Sequence, residues 1–404
     1  MLKKMSITKG WTSALIIFYA FSIVIFCLQQ NNFDAAVTQG LVIPDVVNIT
    51  NTLDLFWQMD DLFQSENQFK ALSLLYGWTW LIHPSLCFLV NSVLIFASFR
   101  VYKKIATSRN IAPCWLIAGL LGNPYLILAM PGPNKEIPLL FLTACYFQLV
   151  TTRNFNWFIF SAILCAIMVA IRDGYGVFLL FSLFLILMLR NREQFLAPVI
   201  CTLLLIATAF YGVFESMIPI LSRNREMYEA ISADQAAVGA LVTEFNLNPY
   251  SPVDGLILFG FRLLYNLVSL AFFPVWITLD GNMYWIGICY WLTGLLIFTL
   301  ILINIINAIY MIKVKTGASL AIGISLGVWF MISMSLFVQP RYFMPVLPIA
   351  FLAISATPIK LRYLVTLSSV IVTFSVISIN IALDRSPPPA SPEYLETPAY
   401  VWQG

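Results

Sequence analysis

Apolar runs of roughly 17 to 25 residues recur along this chain from end to end, each closed by charge, proline or glycine. A helix of that length crosses the hydrocarbon layer of a bilayer, and a helix there satisfies its own backbone hydrogen bonds. The pattern predicts an all-α, polytopic transmembrane helical bundle. With 60% hydrophobic and only 10% charged residues and a mean hydropathy of +0.86, residues 1–404 read as a single integral-membrane domain. Eleven Trp suit interfacial belts better than sugar-stacking surfaces.

The runs place spans at 11–28, 85–101, 112–130, 137–151, 155–171, 175–189, 195–217, 284–312, 317–338, 343–357 and 363–383. Residues 71–82 are apolar but too short to cross, and read as an interfacial helix leading past His83-Pro84 into the next span. The Lys-rich start followed by an apolar run resembles a signal sequence. No small-residue cleavage site follows it, so it reads as a retained first span. Two long polar stretches, 29–70 and 218–255, are expected as outer loops, and 384–404 as an extended outer tail.

Basic residues near span ends fix the expected orientation. With the N-terminus cytoplasmic, Lys3, Lys4, Lys9, the 100–109 cluster, Arg153, Arg190, Arg192, Lys313, Lys315, Lys360 and Arg362 all fall inside. That holds if residues 256–279, which carry Arg262 and Asn266, form a re-entrant or interfacial segment. About eleven crossings result; a crossing at 256–279 would make twelve and place the last four of those cations outside. Of the 19 acidic residues only Glu193 then lies inside, so the working face is expected outside.

Four clusters sit at that outer edge. In the first, Pro131-Gly132-Pro133 must break a helix, because two prolines lack a donor and the glycine permits unusual dihedrals. Lys135 and Glu136 follow at once, and charges beside membrane-depth sequence are costly unless they meet water, each other or a ligand. Arg172-Asp173 and Arg341-Tyr342 form two more, and Asp45 in its acidic loop the fourth. Each alone also reads as an ordinary turn or a snorkelling side chain. Together they suit a lipid-linked phosphate, since arginine forks grip phosphate oxygens and lysine adds a point charge. A nearby carboxylate could accept a proton from a hydroxyl or help hold a divalent cation. The seven Cys lie in apolar runs, and no Cys/His spacing resembles a metal site.

An acidic loop after the first span, an interfacial helix before the second, Asn123-Pro124 leading to Lys135-Glu136, and Gln339-Pro340-Arg341-Tyr342-Phe343-Met344-Pro345-Val346-Leu347-Pro348 resemble the GT-C class of integral-membrane glycosyltransferases, including the multi-span mannosyltransferases. Those enzymes use polyprenyl-phosphate-linked sugars. The resemblance implies that Asp45, with Asp34 as the next choice, is the catalytic carboxylate. It implies that Arg341, Arg172 and Lys135 hold the donor phosphate, that Glu136 and Asp173 orient the cations or the sugar, and that Tyr342 stacks on sugar or prenyl. A divalent cation, magnesium or manganese, is the only cofactor it suggests. Expected partners are a polyprenyl-phosphate-linked sugar, a glycan or lipid acceptor and membrane lipids, with no nucleic acid. The expected setting is a bacterial inner membrane with the active face periplasmic or extracellular.

Two other functions fit parts of the pattern. A polysaccharide polymerase of the O-antigen or capsule type would use Arg223 and Arg225 in the second long loop. A lipid-linked glycan transporter or flippase would need polar groups near the membrane midplane, where the sequence offers few.

Overall fold

In the computed structural model the described residues are 2–43, 46, 49, 70–83, 85–108, 119, 123–190, 192–210, 251–271, 284–311, 318–333, 339–354 and 359–382. Among them the regular structure is entirely helical. α1 is Leu2–Asn31, α2 Phe33–Thr38, α3 Lys70–Ile82, α4 Ser85–Ser108 and α5 Pro124–Ala129. Next come α6 Glu136–Thr152, α7 Trp157–Ile171, α8 Asp173–Met188 and α9 Leu196–Ala209. The last five are α10 Pro252–Ala271, α11 Trp285–Met311, α12 Ser319–Ser333, α13 Leu347–Ile354 and α14 Ile359–Ala382. Helix boundaries fall where prolines, glycines and charges interrupt the apolar runs, as their missing donors and backbone freedom require.

Among the described residues four segments are long and apolar enough, by length and composition, to cross a membrane: Thr12–Asn31, Ser85–Thr107, Pro252–Ala271 and Trp285–Ile309. Large apolar side chains point outward from several helices at helical spacing. Ile17, Phe21, Val24 and Leu28 line one face of α1; Leu89, Val93 and Phe96 line one of α4; Leu367, Ile371 and Phe374 line one of α14. Contiguous apolar faces of this kind are rare on water-soluble monomers. The perimeter is built for lipid.

Three helices turn tightly around one another to position the groups discussed below. α6 ends at Arg153 and α7 begins after Asn156, both of which take left-handed backbone (φ 49° and 63°). α7 and α8 are separated by Arg172 alone, in extended conformation. The close crossing is set by Gly176, where a Cβ would lie 2.3 Å from the backbone nitrogen of Val169. Thr143 of α6 contacts the Tyr175 hydroxyl at 3.1 Å and donates to Met168 Sδ at 3.8 Å, so the three helices are level there. Arg172 therefore lies toward the Glu136 end of α6.

Two expected spans differ from the structure. The run at 112–130 is interrupted at Asn123, whose extended backbone (φ −92°, ψ 106°) starts α5 afresh with Pro124 in its first turn. Asn123 caps the new helix by accepting from Tyr125 N at 3.1 Å, which is why asparagine before proline restarts a helix. The run at 343–357 starts inside a 3-10 stretch, Pro340–Val346, before the eight-residue α13. Pro345 lacks the N–H an α-helix would use. Every residue of α13 is buried, so this piece is packed inside the bundle.

Candidate site at one end of the bundle

The Pro-Gly-Pro break is held by amide side chains rather than left open. Asn91 of α4 donates through Nδ2 to the carbonyls of Met130 (3.0 Å) and Gly132 (2.8 Å). Tyr76 of α3 donates its hydroxyl to Asn91 Oδ1 at 2.6 Å. Asn134 donates to the carbonyls of Ala129 and Gly132 at 2.8 and 3.0 Å, and its Oδ1 accepts from Ile137 N at 2.8 Å. A turn that loses its regular helical bonds at membrane depth must find such partners. Burial pushes the Tyr76 phenol well above its usual range, against an opposing hydrogen bond from the Asn134 backbone. It thus stays a neutral donor to Asn91.

The charged pair that follows the turn is enclosed. Lys135 is 6% exposed and Glu136 0%. No hydrogen-bond donor among the described residues reaches either Glu136 carboxylate oxygen. Glu136 opens α6, and α6 packs along the 3-10 stretch carrying Arg341 and Tyr342.

That stretch meets the α7–α8 corner. The Arg172 guanidinium lies over the Tyr342 ring, 4.1 Å from its centroid, and the Arg341 guanidinium is 5.7 Å from the same centroid. Cation–ring attraction of about 0.5–2 kcal/mol each holds two like charges at one aromatic side chain. Arg341 is 8% exposed, and the Arg172 Nη1 is buried with no acceptor among the described residues. Two guanidiniums brought together this way have the charge and fork geometry that an anion's oxygens would pair with.

Of the residues singled out in the sequence, Arg172, Arg341 and Tyr342 are thus brought into contact, and Lys135 and Glu136 sit on the helix packed against them. Asp45 and the side chains of Asp34 and Asp173 lie outside the described residues, as do Arg223 and Arg225, most of both long loops and the tail. Ile43, two residues before Asp45, is 1% exposed. Gln29 of α1 donates to Leu41 O at 2.7 Å, and Trp285 N donates to Gln39 O at 2.9 Å, tying this region to the start of α11.

Among the described residues no group of three His, Cys, Asp or Glu stands together to hold a metal.

Asn91 and Tyr76 give no sequence signal, lying singly within apolar runs 39 or more residues from the turn they serve. A second polar contact joins residues whose meeting the sequence does not show. Thr293 of α11 donates to Asn123 Oδ1 at 2.9 Å, and Tyr125 stacks on Tyr290 with centroids 5.2 Å apart. Asn123, Thr293 and Asn266 are each at most 1% exposed. Compared with known proteins, the chain matches no protein-family model, no curated protein and no solved structure.

Proposed function

We propose that the protein transfers a sugar from a polyprenyl-phosphate-linked donor to a glycan or lipid acceptor at the outer face of a bacterial inner membrane. The observation that carries this reading is the convergence of Arg172 and Arg341 on Tyr342, beside the helix that begins at Glu136. A lipid phosphate brings an anion to that depth on an apolar tail, and exposed apolar faces on α1, α4 and α14 suit such a tail. The guanidiniums would stabilise negative charge as it grows on the leaving phosphate. In this reading Asp45, or else Asp34, takes the proton of the attacking hydroxyl. The hydroxyl oxygen bonds to the anomeric carbon, the bond from that carbon to the phosphate oxygen breaks, and the lipid phosphate departs.

A second reading, a carrier of lipid-linked glycans, draws on the buried contact between Thr293 and Asn123. That contact lies where a helix is interrupted, and transport sites use such breaks. A glycan profile separates the two. Lipid-linked sugars and surface polysaccharide are extracted from cells with the gene intact, deleted, or carrying Asp45→Asn or Arg341→Ala. Transfer predicts loss of one sugar with its donor accumulating, in all three altered strains. Single repeat units accumulating without long chains would replace it with polymerisation. Loss of the sugar on deletion but not with Asp45→Asn would favour the carrier, and unchanged glycans throughout would sink all three readings.

A further inference from the structure

Around Glu136 the amide side chains that hold the turn have found partners. Asn91 and Asn134 spend their amide hydrogens on the carbonyls of Ala129, Met130 and Gly132, and Asn134 Oδ1 is taken by Ile137 N. The frame is fixed from a third helix by Tyr76. Within it both Glu136 oxygens are fully buried and receive no donor from the described residues. A carboxylate accepts hydrogen bonds and offers none, and leaving it unsatisfied in the interior is costly. Toward the same end of α6, Arg172 Nη1 is a buried donor with no acceptor among the described residues. One place lacks donors and the other lacks an acceptor. A sugar phosphate supplies both, with hydroxyl hydrogens for the carboxylate and phosphate oxygens for the guanidinium.

We propose that Glu136 reads the sugar, accepting hydrogen bonds from hydroxyls of the hexose whose phosphate sits at Arg172 and Arg341. This rests on the lipid-phosphate reading and adds to it the group that decides which sugar is held. Tyr76, Asn91 and Asn134 are positioning residues that fix the carboxylate through the turn. A site built to receive a hydroxyl discriminates strongly against a ligand lacking it, because the buried acceptor is then left unpaired.

The full-length protein in lipid nanodiscs is titrated with citronellyl phosphate, with citronellyl-phosphate-linked glucose, galactose and mannose, and with the monodeoxy forms of each. Expected for the wild type is tighter binding of at least one sugar-bearing probe than of citronellyl phosphate. One monodeoxy form of that probe should lose tenfold or more. Glu136→Gln and Glu136→Ala should each remove the sugar preference and respond no further to the deoxy change. Citronellyl phosphate binding with no sugar preference, or with a preference that survives in both variants, overturns the role of Glu136 and leaves the phosphate site standing. Should the variants fail to fold, the wild-type deoxy series still decides: equal affinity across it overturns the proposal. If no probe binds the wild type, the lipid-phosphate reading falls and this inference with it.

Discussion

The two ends of α6 carry the same kinds of charge and treat them in opposite ways. At the far end Arg153 bonds Glu193 directly, with both side chains partly open to solvent, and Arg153 also lies over Trp157, 5.8 Å from the ring centroid. About 26 Å away along the helix axis, Glu136 is wholly enclosed and receives no hydrogen bond among the described residues. A pair at the polar boundary closes a turn at modest cost. An enclosed carboxylate kept without a partner costs stability, and such a cost is the usual mark of a site shaped for something other than folding.

That contrast can be broken by measurement. The largest effect is expected for Asn91→Leu, which takes the donor from the Met130 carbonyl, one donor from Gly132 and the acceptor from Tyr76. A loss of about 2–4 kcal/mol follows from leaving buried groups unsatisfied, read as a lowered unfolding midpoint in detergent. Glu136→Leu should move the other way and stabilise by about 1–3 kcal/mol, because an apolar residue replaces an uncompensated buried acid. A destabilised Glu136→Leu protein would show that the carboxylate is structural after all. Tyr76→Phe removes one hydrogen bond to Asn91 and should cost about 1 kcal/mol, seen as faster amide exchange in residues 130–137. Least affected is Glu193→Gln, at under about 1 kcal/mol for a pair near solvent. Opposite signs for the two glutamate variants in the same unfolding assay would sharpen the comparison; equal signs would dissolve it.

Much of this arrangement was legible before any coordinates. Proline and glycine mark breaks by backbone chemistry alone, so the interruption at 131–133 and the corner at Arg172 fall where their residues put them. Arg341-Tyr342 stood out because charge beside apolar sequence is expensive. Sequence could not show that Arg172 lies over Tyr342, since that depends on how α7 and α8 cross at Gly176. Nor could it show the helix start at Asn123, which sits in an apolar run with one proline as its only sign. Asn91 illustrates the general difficulty. A single amide in a 24-residue apolar helix looks like a tolerated polar residue until the two carbonyls it holds are brought beside it.

The stacking of Arg172 and Arg341 on one ring also bears on how the protein is made. Tyr342 is synthesised 170 residues after Arg172, a delay of roughly 10 to 35 s at ribosomal rates of about 5–20 residues per second. During that interval α7 and α8 have already left the ribosome, and the α7–α8 corner exists without the aromatic that will hold its cation. Insertion of the first half of the chain must therefore tolerate an arginine at the membrane boundary with its ring still to come. Chains truncated before Tyr342 would present that guanidinium to the quality-control machinery of the membrane as an unfinished surface.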